Sequence, residues 1–220
     1  MKMRHRLLKR HSDLHSYLGV PVNDPYDCLR GLAQVKLPEA IKLIFKANIK
    51  GVLFKDRDTH KNYDVDAVYD DGYIVVREGV IEPGLLQQII IHEVCHQLQD
   101  AFPEHFLENG EIINEFSLKR IELMRRLTAR GYNVNRKAFL KLTYDPRFDD
   151  FLSNDVKSED LSDCIKGLFP SPYSIVSLEE YVSLLFEEFF EQGSEVARGY
   201  SKEVTKSIEE VLRDYYENEL

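Results

Sequence analysis

Several features that would assign this sequence to a familiar class are missing from it. Its 220 residues contain only three cysteines, which are widely spaced and form no CxxC pair, so they do not build a disulfide framework. A reducing compartment is therefore the simpler setting. The longest apolar stretches, Ile89–Ile91 and Val182–Phe186, are far too short to span a membrane, and no apolar segment of signal-peptide length follows the basic start. We expect a cytoplasmic protein without a membrane span.

The chain also has no internal repeat, no low-complexity segment and no linker rich in proline, glycine and serine. Its composition, 43% hydrophobic and 30% charged, is typical of a globular protein. We therefore expect one domain over residues 1–220, with a helical N-terminal region (1–50) and a helical insertion (103–170).

The charge of the chain argues against nucleic acid as a partner. The formal net charge is −9, which would repel a phosphate backbone. The exception is the segment 1–10, which has five basic residues and no acidic one: Lys2, Arg4, Arg6, Lys9 and Arg10. This segment could contact phosphate or anionic lipid, although a solvated terminus is the simpler interpretation.

The hydrophobic pattern predicts an α+β fold that is predominantly helical. Three runs rich in β-forming residues indicate a small antiparallel sheet: Gly51–Lys55, Ala67–Tyr69 and Tyr73–Arg77. The sequence Asp70-Asp71-Gly72 joins the last two runs as a turn. Helical spacing predicts helices over much of the remaining chain, at Arg4–Leu18, Pro25–Ala33, Pro38–Ala47, Pro83–Ala101, Asn109–Arg130, Arg136–Lys141, Arg147–Leu152, Ser158–Leu168, Ser177–Gln192 and Ser201–Tyr216.

The predicted helix Pro83–Ala101 contains the pattern H-E-x-x-H as His92, Glu93 and His96. Two histidines four residues apart lie one turn from each other on one face of a helix, where both imidazoles can bind one zinc ion. Glu93 leaves the helix at another angle and can act as the base for a metal-bound water. The alternative is a pair of core histidines bonded to backbone or carboxylate groups. The apolar residues before the motif indicate a buried helix, in which two such histidines need partners.

A catalytic zinc site normally takes a third ligand from the protein. The short three-histidine pattern is excluded, since Gln99 and Phe102 stand where it has glycine and histidine. His105 follows a helix break and is expected at the surface. Cys95 points away from the two histidines around the helix and is expected to be a core residue.

The remaining candidates for the third ligand are glutamates of two later helices. They are Glu111, Glu115 and Glu122 in one helix and Glu179, Glu180, Glu187, Glu188 and Glu191 in the other. Glu180 and Glu187 lie at the edge of an apolar stripe, where a metal ion would compensate a partly buried charge.

The segment that begins at Tyr173 reads YSIVSLEEY and continues VSLLFEEFF. Together with the H-E-x-x-H motif, it resembles the gluzincin-type zincin metallopeptidases of the anthrax lethal factor group. In that group a tyrosine precedes the ligand glutamate by seven residues, and the glutamate opens an aromatic-rich helix. By this resemblance Glu180 is the third zinc ligand, Tyr173 stabilises the oxyanion, and the fold is zincin-like from roughly Gly51 to Gln192. The run Tyr73–Arg77 also fits a zincin, whose edge strand can pair with an extended peptide.

These features predict a zinc metallopeptidase that hydrolyses a protein or peptide substrate through a metal-bound water activated by Glu93. His92, His96 and Glu180 would bind Zn²⁺ and Tyr173 would assist, with Glu187 as the alternative third ligand. The alternative function is a non-enzymatic zincin-like protein within a larger assembly, and the presence of Glu93 argues against it. A metal-dependent hydrolase of non-peptide bonds is a third hypothesis.

Overall fold

The structure, a computed structural model, describes residues 22–23, 37–55, 67–77 and 83–218. The predicted helices Arg4–Leu18 and Pro25–Ala33, and the basic segment 1–10, lie outside the described residues. The chain divides into two compact units, residues 1–98 with 215–220 and residues 99–214. The described part is predominantly helical and has a small sheet, in agreement with an α+β fold. None of the described helices is long and apolar enough to cross a lipid bilayer.

Four strands of the first unit form a mixed sheet. They are β1 (Val22–Asn23), β2 (Gly51–Lys55), β3 (Ala67–Asp70) and β4 (Tyr73–Arg77), in the order β1-β2-β4-β3. β2 runs parallel to both β1 and β4, whereas β3 and β4 are antiparallel. The predicted antiparallel sheet is therefore wrong in the direction of β2, although the three predicted strands end within one residue of their predicted bounds.

The β3–β4 hairpin is visible in the sequence because its turn is local. Asp71 and Gly72 take positive φ angles of 44° and 85°, which an Asp-Gly pair accepts at low cost. The pairing of β4 with β2 joins distant parts of the chain, and the turn residues carry no information about it. The burial of β4 is consistent with this pairing. Ile74, Val75 and Val76 are all buried, and a strand covered on both faces is typical of a central position in a parallel arrangement.

Two helices of the first unit lie before β2 and after β4 in sequence: α1 (Glu39–Asn48) and α2 (Pro83–Ala101). α2 begins and ends where the sequence predicts, and Pro103 opens a separate 3-10 turn, Pro103–His105. Its apolar residues include several with no exposed surface, Ile90, Ile91, Val94, Cys95 and Leu98, each worth about 1.5–3 kcal/mol when buried. The boundary between the two units falls after Leu98, so the last turn of α2 belongs to the second unit.

The second unit is helical throughout its described elements. After α2 these are α3 (Gly110–Ala129), α4 (Arg136–Phe139), α5 (Pro146–Asp150), a π-helical turn (Phe151–Asp155), α6 (Ser158–Ile165), a 3-10 turn (Tyr173–Ile175), α7 (Leu178–Glu191), α8 (Ser194–Tyr200) and α9 (Lys202–Asn218). The sequence does not predict α8, and the predicted helix Arg147–Leu152 is divided between α5 and the π-helical turn.

Aromatic packing joins α3 to α7 within the second unit. The Tyr181 ring of α7 lies 5.2 Å from the ring of Phe116 on α3 and 5.7 Å from that of Phe169. Arg120, only 1% exposed, lies over the Phe116 ring at 5.3 Å and donates a hydrogen bond to the Ala138 carbonyl at 2.6 Å. Burial lowers the pKa of Arg120 to about 10. This core fixes the start of α7, where the candidate ligand Glu180 is found.

Candidate metal centre

His92 and His96 lie one turn apart on α2 and face each other. Their Nε2 atoms are 3.0 Å apart and their ring centroids 4.8 Å apart, and both side chains are half-buried. Two nitrogens bound to one tetrahedral zinc ion would be about 3.3 Å apart, given Zn–N distances near 2.0–2.1 Å. The two Nε2 atoms therefore already have nearly the separation that a shared metal ion requires. In the absence of an ion, the same separation allows one ring to donate a hydrogen bond to the other.

Glu180 joins the two histidines. The ligand atoms of His92, His96 and Glu180 all lie within 4.8 Å of one another, so the three residues could hold a metal ion. We call these three residues the metal-competent group. Glu180 belongs to the first turn of α7, where the Ser177 hydroxyl caps the helix by accepting a hydrogen bond from the Glu180 backbone N–H at 3.1 Å. The cap fixes the backbone from which the carboxylate extends.

The other residues considered as ligands are not part of this group of three. Cys95 is fully buried, in agreement with a core role. Glu115 accepts a hydrogen bond from the Tyr181 hydroxyl at 2.6 Å and lies 3.2 Å from the Lys119 ammonium. Glu122 is bound by Arg125 and Arg126, at 2.7 and 2.9 Å. These two carboxylates are thus compensated by cations of the chain itself.

Two further glutamates and His105 also lie outside the metal-competent group within the described part of the chain. Glu187 is half-buried on α7, two turns beyond Glu180, and Glu111 is exposed on α3. His105 ends the 3-10 turn that Pro103 opens, and its Nδ1 atom is 3.8 Å from a carboxylate oxygen of Glu210. Both side chains are partly exposed. Of the two acids that the apolar stripe of α7 singled out, Glu180 is the one near the histidines.

The two residues predicted to act in catalysis have different environments. Glu93 is 5% exposed and lies on α2 between the two histidines in sequence. Tyr173 is 44% exposed in its 3-10 turn, and its phenol is near enough to the Glu180 carboxylate for that charge to act on it. Burial of the phenol, and then the Glu180 charge, raise the pKa of Tyr173. Their catalytic roles remain predictions.

Gln99 and Ser183 join the two helices that carry the candidate ligands, and the sequence did not predict this contact. Gln99, in the last turn of α2, donates hydrogen bonds from Nε2 to the Glu179 backbone carbonyl and to the Ser183 hydroxyl, both at 3.0 Å. Gln99 and Ser183 are almost fully buried, so these bonds are shielded from water. They tie the end of the histidine helix to the first turns of α7. A polar residue on the apolar face of each helix, Gln99 on α2 and Ser183 on α7, was the sequence feature that could have indicated it.

The chemistry of the three donors suits zinc. Two imidazole nitrogens and one carboxylate oxygen are the ligand set of a known class of catalytic zinc site, whereas Mg²⁺ and Ca²⁺ prefer oxygen ligands alone. Within the described ranges the group offers three ligand residues and not four. A set of three leaves a coordination position open, and an open position is the feature that separates catalytic from structural zinc sites.

Comparisons with known proteins add no further evidence on this site. No protein-family model, curated protein or solved structure matches the chain. The resemblance to gluzincins therefore stays a prediction.

Proposed function

We propose that this chain is a zinc-dependent peptidase whose metal ligands are His92, His96 and Glu180. The observation that carries the proposal is the group of three donors, contributed by two helices, with the buried Glu93 on one of them. Zinc at such a set supplies Lewis acidity, which lowers the pKa of water and polarises a carbonyl group.

The residues of the chain divide the remaining chemistry between them. Glu93 accepts a proton from the attacking water and passes it to the leaving amine, because a buried carboxylate beside the reacting atoms can act first as base and then as acid. Tyr173 donates a hydrogen bond from its hydroxyl to the substrate carbonyl oxygen, on which negative charge develops. Its 44% exposure lets that hydroxyl meet a substrate that arrives from solvent.

The number of ligands and the position of Glu93 favour an enzyme over the non-enzymatic alternative. A structural zinc site is usually closed by four protein ligands, and the group here has three in the described residues. A purely structural site also has no use for an acid beside it, and burying an acid costs free energy. Glu93 is buried nonetheless.

The direct test compares the native chain with Glu93→Gln. Zinc content is measured by elemental analysis, and cleavage by mass spectrometry of a mixture of unstructured peptides. We expect both proteins to contain zinc and the variant to cleave about 10²–10⁴-fold more slowly, the usual contribution of a general base. Glu104→Gln, at an exposed glutamate in the turn after α2, is the control and should leave the rate unchanged.

Two results would contradict the proposal in different ways. If zinc is bound but the native chain cleaves no peptide, the non-enzymatic alternative gains. If no zinc can be bound at all, the metal centre itself fails, whatever activity the chain has.

A further inference from the structure

Residues 118–148 are strongly basic within a chain whose net charge is −9. They include nine basic residues and two acidic ones. Most of the nine are engaged by carboxylates or by backbone carbonyl groups of the chain: Lys119, Arg120, Arg125, Arg126, Arg130 and Lys141. The other three, Arg136, Lys137 and Arg147, are exposed, and no carboxylate of the described residues forms an ion pair with them. We call these three residues the basic surface.

The aspartates that lie near the basic surface in sequence have other partners. Each accepts a hydrogen bond from a neighbouring side chain, at 2.6, 2.7 and 2.8 Å: Asp145, Asp149 and Asp150. Their donors belong to residues outside the basic surface. The three cations are therefore not compensated by contact with these acids.

The basic surface is carried by two short helices that pack side by side. Arg136 and Lys137 belong to α4, and Arg147 belongs to α5. Phe139 and Phe148, from the same two helices, are buried and pack edge to face, with their ring centroids 4.8 Å apart. This contact brings the two parts of the basic surface into one region of the second unit.

A buried cation fixes the connection between α4 and α5. The guanidinium of Arg120 donates hydrogen bonds to the carbonyl of Ala138 at 2.6 Å and to that of Lys141, and it lies 4.3 Å from the centre of the Phe148 ring. Arg120 is only 1% exposed, and burying a charge is costly unless it is well bonded. These bonds hold the connection in one conformation, which lowers the entropy that a surface loses when it binds a partner.

The same connection contacts the helix that carries Glu180. The Leu142 carbonyl accepts a hydrogen bond from the backbone N–H of Leu178, the first residue of α7, at 2.7 Å. Tyr144 is near enough to Tyr173 for the charge of one phenol to act on the other. The connection between α4 and α5 thus adjoins the elements that carry the candidate ligand and the candidate oxyanion donor.

The charge and composition of this region define the partner that fits. Guanidinium groups bind carboxylates through paired hydrogen bonds, and arginine and tyrosine are enriched at protein interfaces. Leu140 and Tyr144, between the two helices, are 48% and 41% exposed and add apolar contact area. The chain as a whole repels acidic partners, so a short acidic segment would be attracted here and not elsewhere. A nucleic acid is disfavoured because its charge continues along its whole length.

We propose that Arg136, Lys137 and Arg147 bind an acidic segment of the protein substrate. The proposal rests on the proposed peptidase function and adds a substrate class to it, namely polypeptides with a cluster of aspartate or glutamate near the cleaved bond. None of the three residues belongs to the metal-competent group, so they would affect substrate binding and not the chemical step.

The first test measures binding without activity. Zinc-loaded Glu93→Gln is titrated with the fluorescein-labelled peptide Gly-Glu-Asp-Glu-Asp-Gly, and binding is followed by anisotropy. Peptides with glutamine and asparagine, or with lysine, in place of the acids are the comparison, together with a single-stranded oligothymidine. We expect the acidic peptide to bind about tenfold more tightly than the neutral one at about 0.05 M NaCl, and the difference to disappear at about 0.5 M.

Removing the three cations together should abolish this preference. In the triple variant Arg136→Gln, Lys137→Gln, Arg147→Gln, the acidic and neutral peptides should bind equally, with zinc content unchanged. Each single variant should weaken acidic-peptide binding about two- to threefold, because exposed ion pairs are individually weak. The single variants keep the test valid if the triple variant does not fold.

A matched control separates the basic surface from the overall charge. Three exposed cations of α9 are replaced in the same way: Lys202→Gln, Lys206→Gln and Arg213→Gln. This second triple variant has the same net charge as the first. It should bind the acidic peptide as zinc-loaded Glu93→Gln does.

The second test measures cleavage. The native chain is given a mixture of unstructured peptides, and the cleaved ones are sequenced by mass spectrometry. We expect aspartate and glutamate to be enriched on one side of the cleaved bond. For such a peptide the first triple variant should raise KM about tenfold and leave kcat unchanged, while peptides without acids are cut as before.

The outcomes separate the two proposals. Cleavage without an acidic preference, tighter binding of the lysine peptide, or an acidic preference that persists in the folded first triple variant would overturn the basic surface and leave the peptidase intact. Tighter binding of the oligothymidine through the same three residues would replace the acidic peptide by nucleic acid. If the native chain cleaves nothing but the acidic peptide still binds through these residues, the peptidase fails and the surface remains a binding site for acidic peptides.

Discussion

Two tyrosine–glutamate pairs in the second unit have opposite environments. In one pair, the Tyr181 hydroxyl donates to Glu115 at 2.6 Å, and Lys119 donates to the same hydroxyl at 2.7 Å. Tyr181 has no exposed surface. In the other pair, the Glu180 charge acts on Tyr173, but this tyrosine is 44% exposed and the glutamate lies with two histidines.

The difference between the two glutamates is the group that lies beside each carboxylate. Glu115 has a cation of the chain, Lys119, 3.2 Å away, so its charge is compensated by the fold itself. Glu180 is grouped with imidazoles, which at neutral pH can offer lone pairs to a metal ion instead of a positive charge. Glu180 and Tyr181 are neighbours in α7, so one helix turn supplies a residue near the two histidines and a residue in the core.

The largest effect should appear when each glutamate is changed to glutamine and zinc affinity is measured. We expect Glu180→Gln to raise the Kd for zinc by about 10²–10³-fold, because roughly 10–16 kcal/mol for a four-ligand site makes each ligand worth about 2.5–4 kcal/mol. Glu115→Gln should leave the Kd unchanged. Competition with a chelating dye measures both.

Glu187→Gln extends that comparison to the second candidate on α7. It should bind zinc as the native chain does, since Glu187 lies outside the metal-competent group in the described residues. A loss of zinc affinity in Glu187→Gln or Glu115→Gln, with Glu180→Gln unaffected, would reverse the assignment of the third ligand.

The two tyrosines give a second, somewhat smaller contrast. We expect Tyr173→Phe to lower kcat by about 10–100-fold without loss of zinc, somewhat less than the loss of a dedicated oxyanion donor, about 10²–10³-fold. Tyr181→Phe should leave kcat nearly unchanged and lower the free energy of unfolding by about 1–3 kcal/mol, since it removes the buried hydroxyl that donates to Glu115 and accepts from Lys119.

Steady-state kinetics and urea unfolding of the same two variants measure this contrast. The idea of two distinct pairs would be wrong if Tyr181→Phe lost turnover and Tyr173→Phe lost only stability. Zinc content serves as the control, because a change in kcat counts only when both variants hold the metal as the native chain does.

Much of the site could be predicted from the sequence because its key part is local. The bounds of α2 follow from an apolar run and a proline, and the spacing of His92 and His96 follows from the helix alone. The third ligand was harder to predict: the apolar stripe of that helix reduced its five glutamates to Glu180 and Glu187, and only the resemblance selected Glu180. The structure brings that residue to the histidines.

The features that could not be predicted all depend on contacts between distant residues. The direction of β2 is set by its pairing with β4, which no turn between them records. The Gln99 hydrogen bonds to α7 join residues about 80 positions apart. From the sequence, Gln99 was noted only because it replaces the glycine of the three-histidine pattern.

The smallest expected effect on zinc affinity is that of replacing Gln99, which contacts the start of α7. Gln99→Met keeps the length of the side chain but removes the hydrogen bonds to the Glu179 carbonyl and the Ser183 hydroxyl. We expect the free energy of unfolding to fall by about 1–3 kcal/mol. The Kd for zinc should rise about tenfold, the lower end of the effect of residues that orient metal ligands.

Gln97→Met, on the same helix, is the matched control. Gln97 is also buried, at 6% exposure, but its Oε1 accepts no hydrogen bond from the part of the chain that the structure describes. Replacing it should therefore cost little stability and leave zinc affinity unchanged, as measured by urea unfolding and dye competition. If Gln97→Met weakened zinc binding as much as Gln99→Met, the effect would belong to the packing of α2 in general, and the Gln99 hydrogen bonds would have no special part in bringing Glu180 to the histidines.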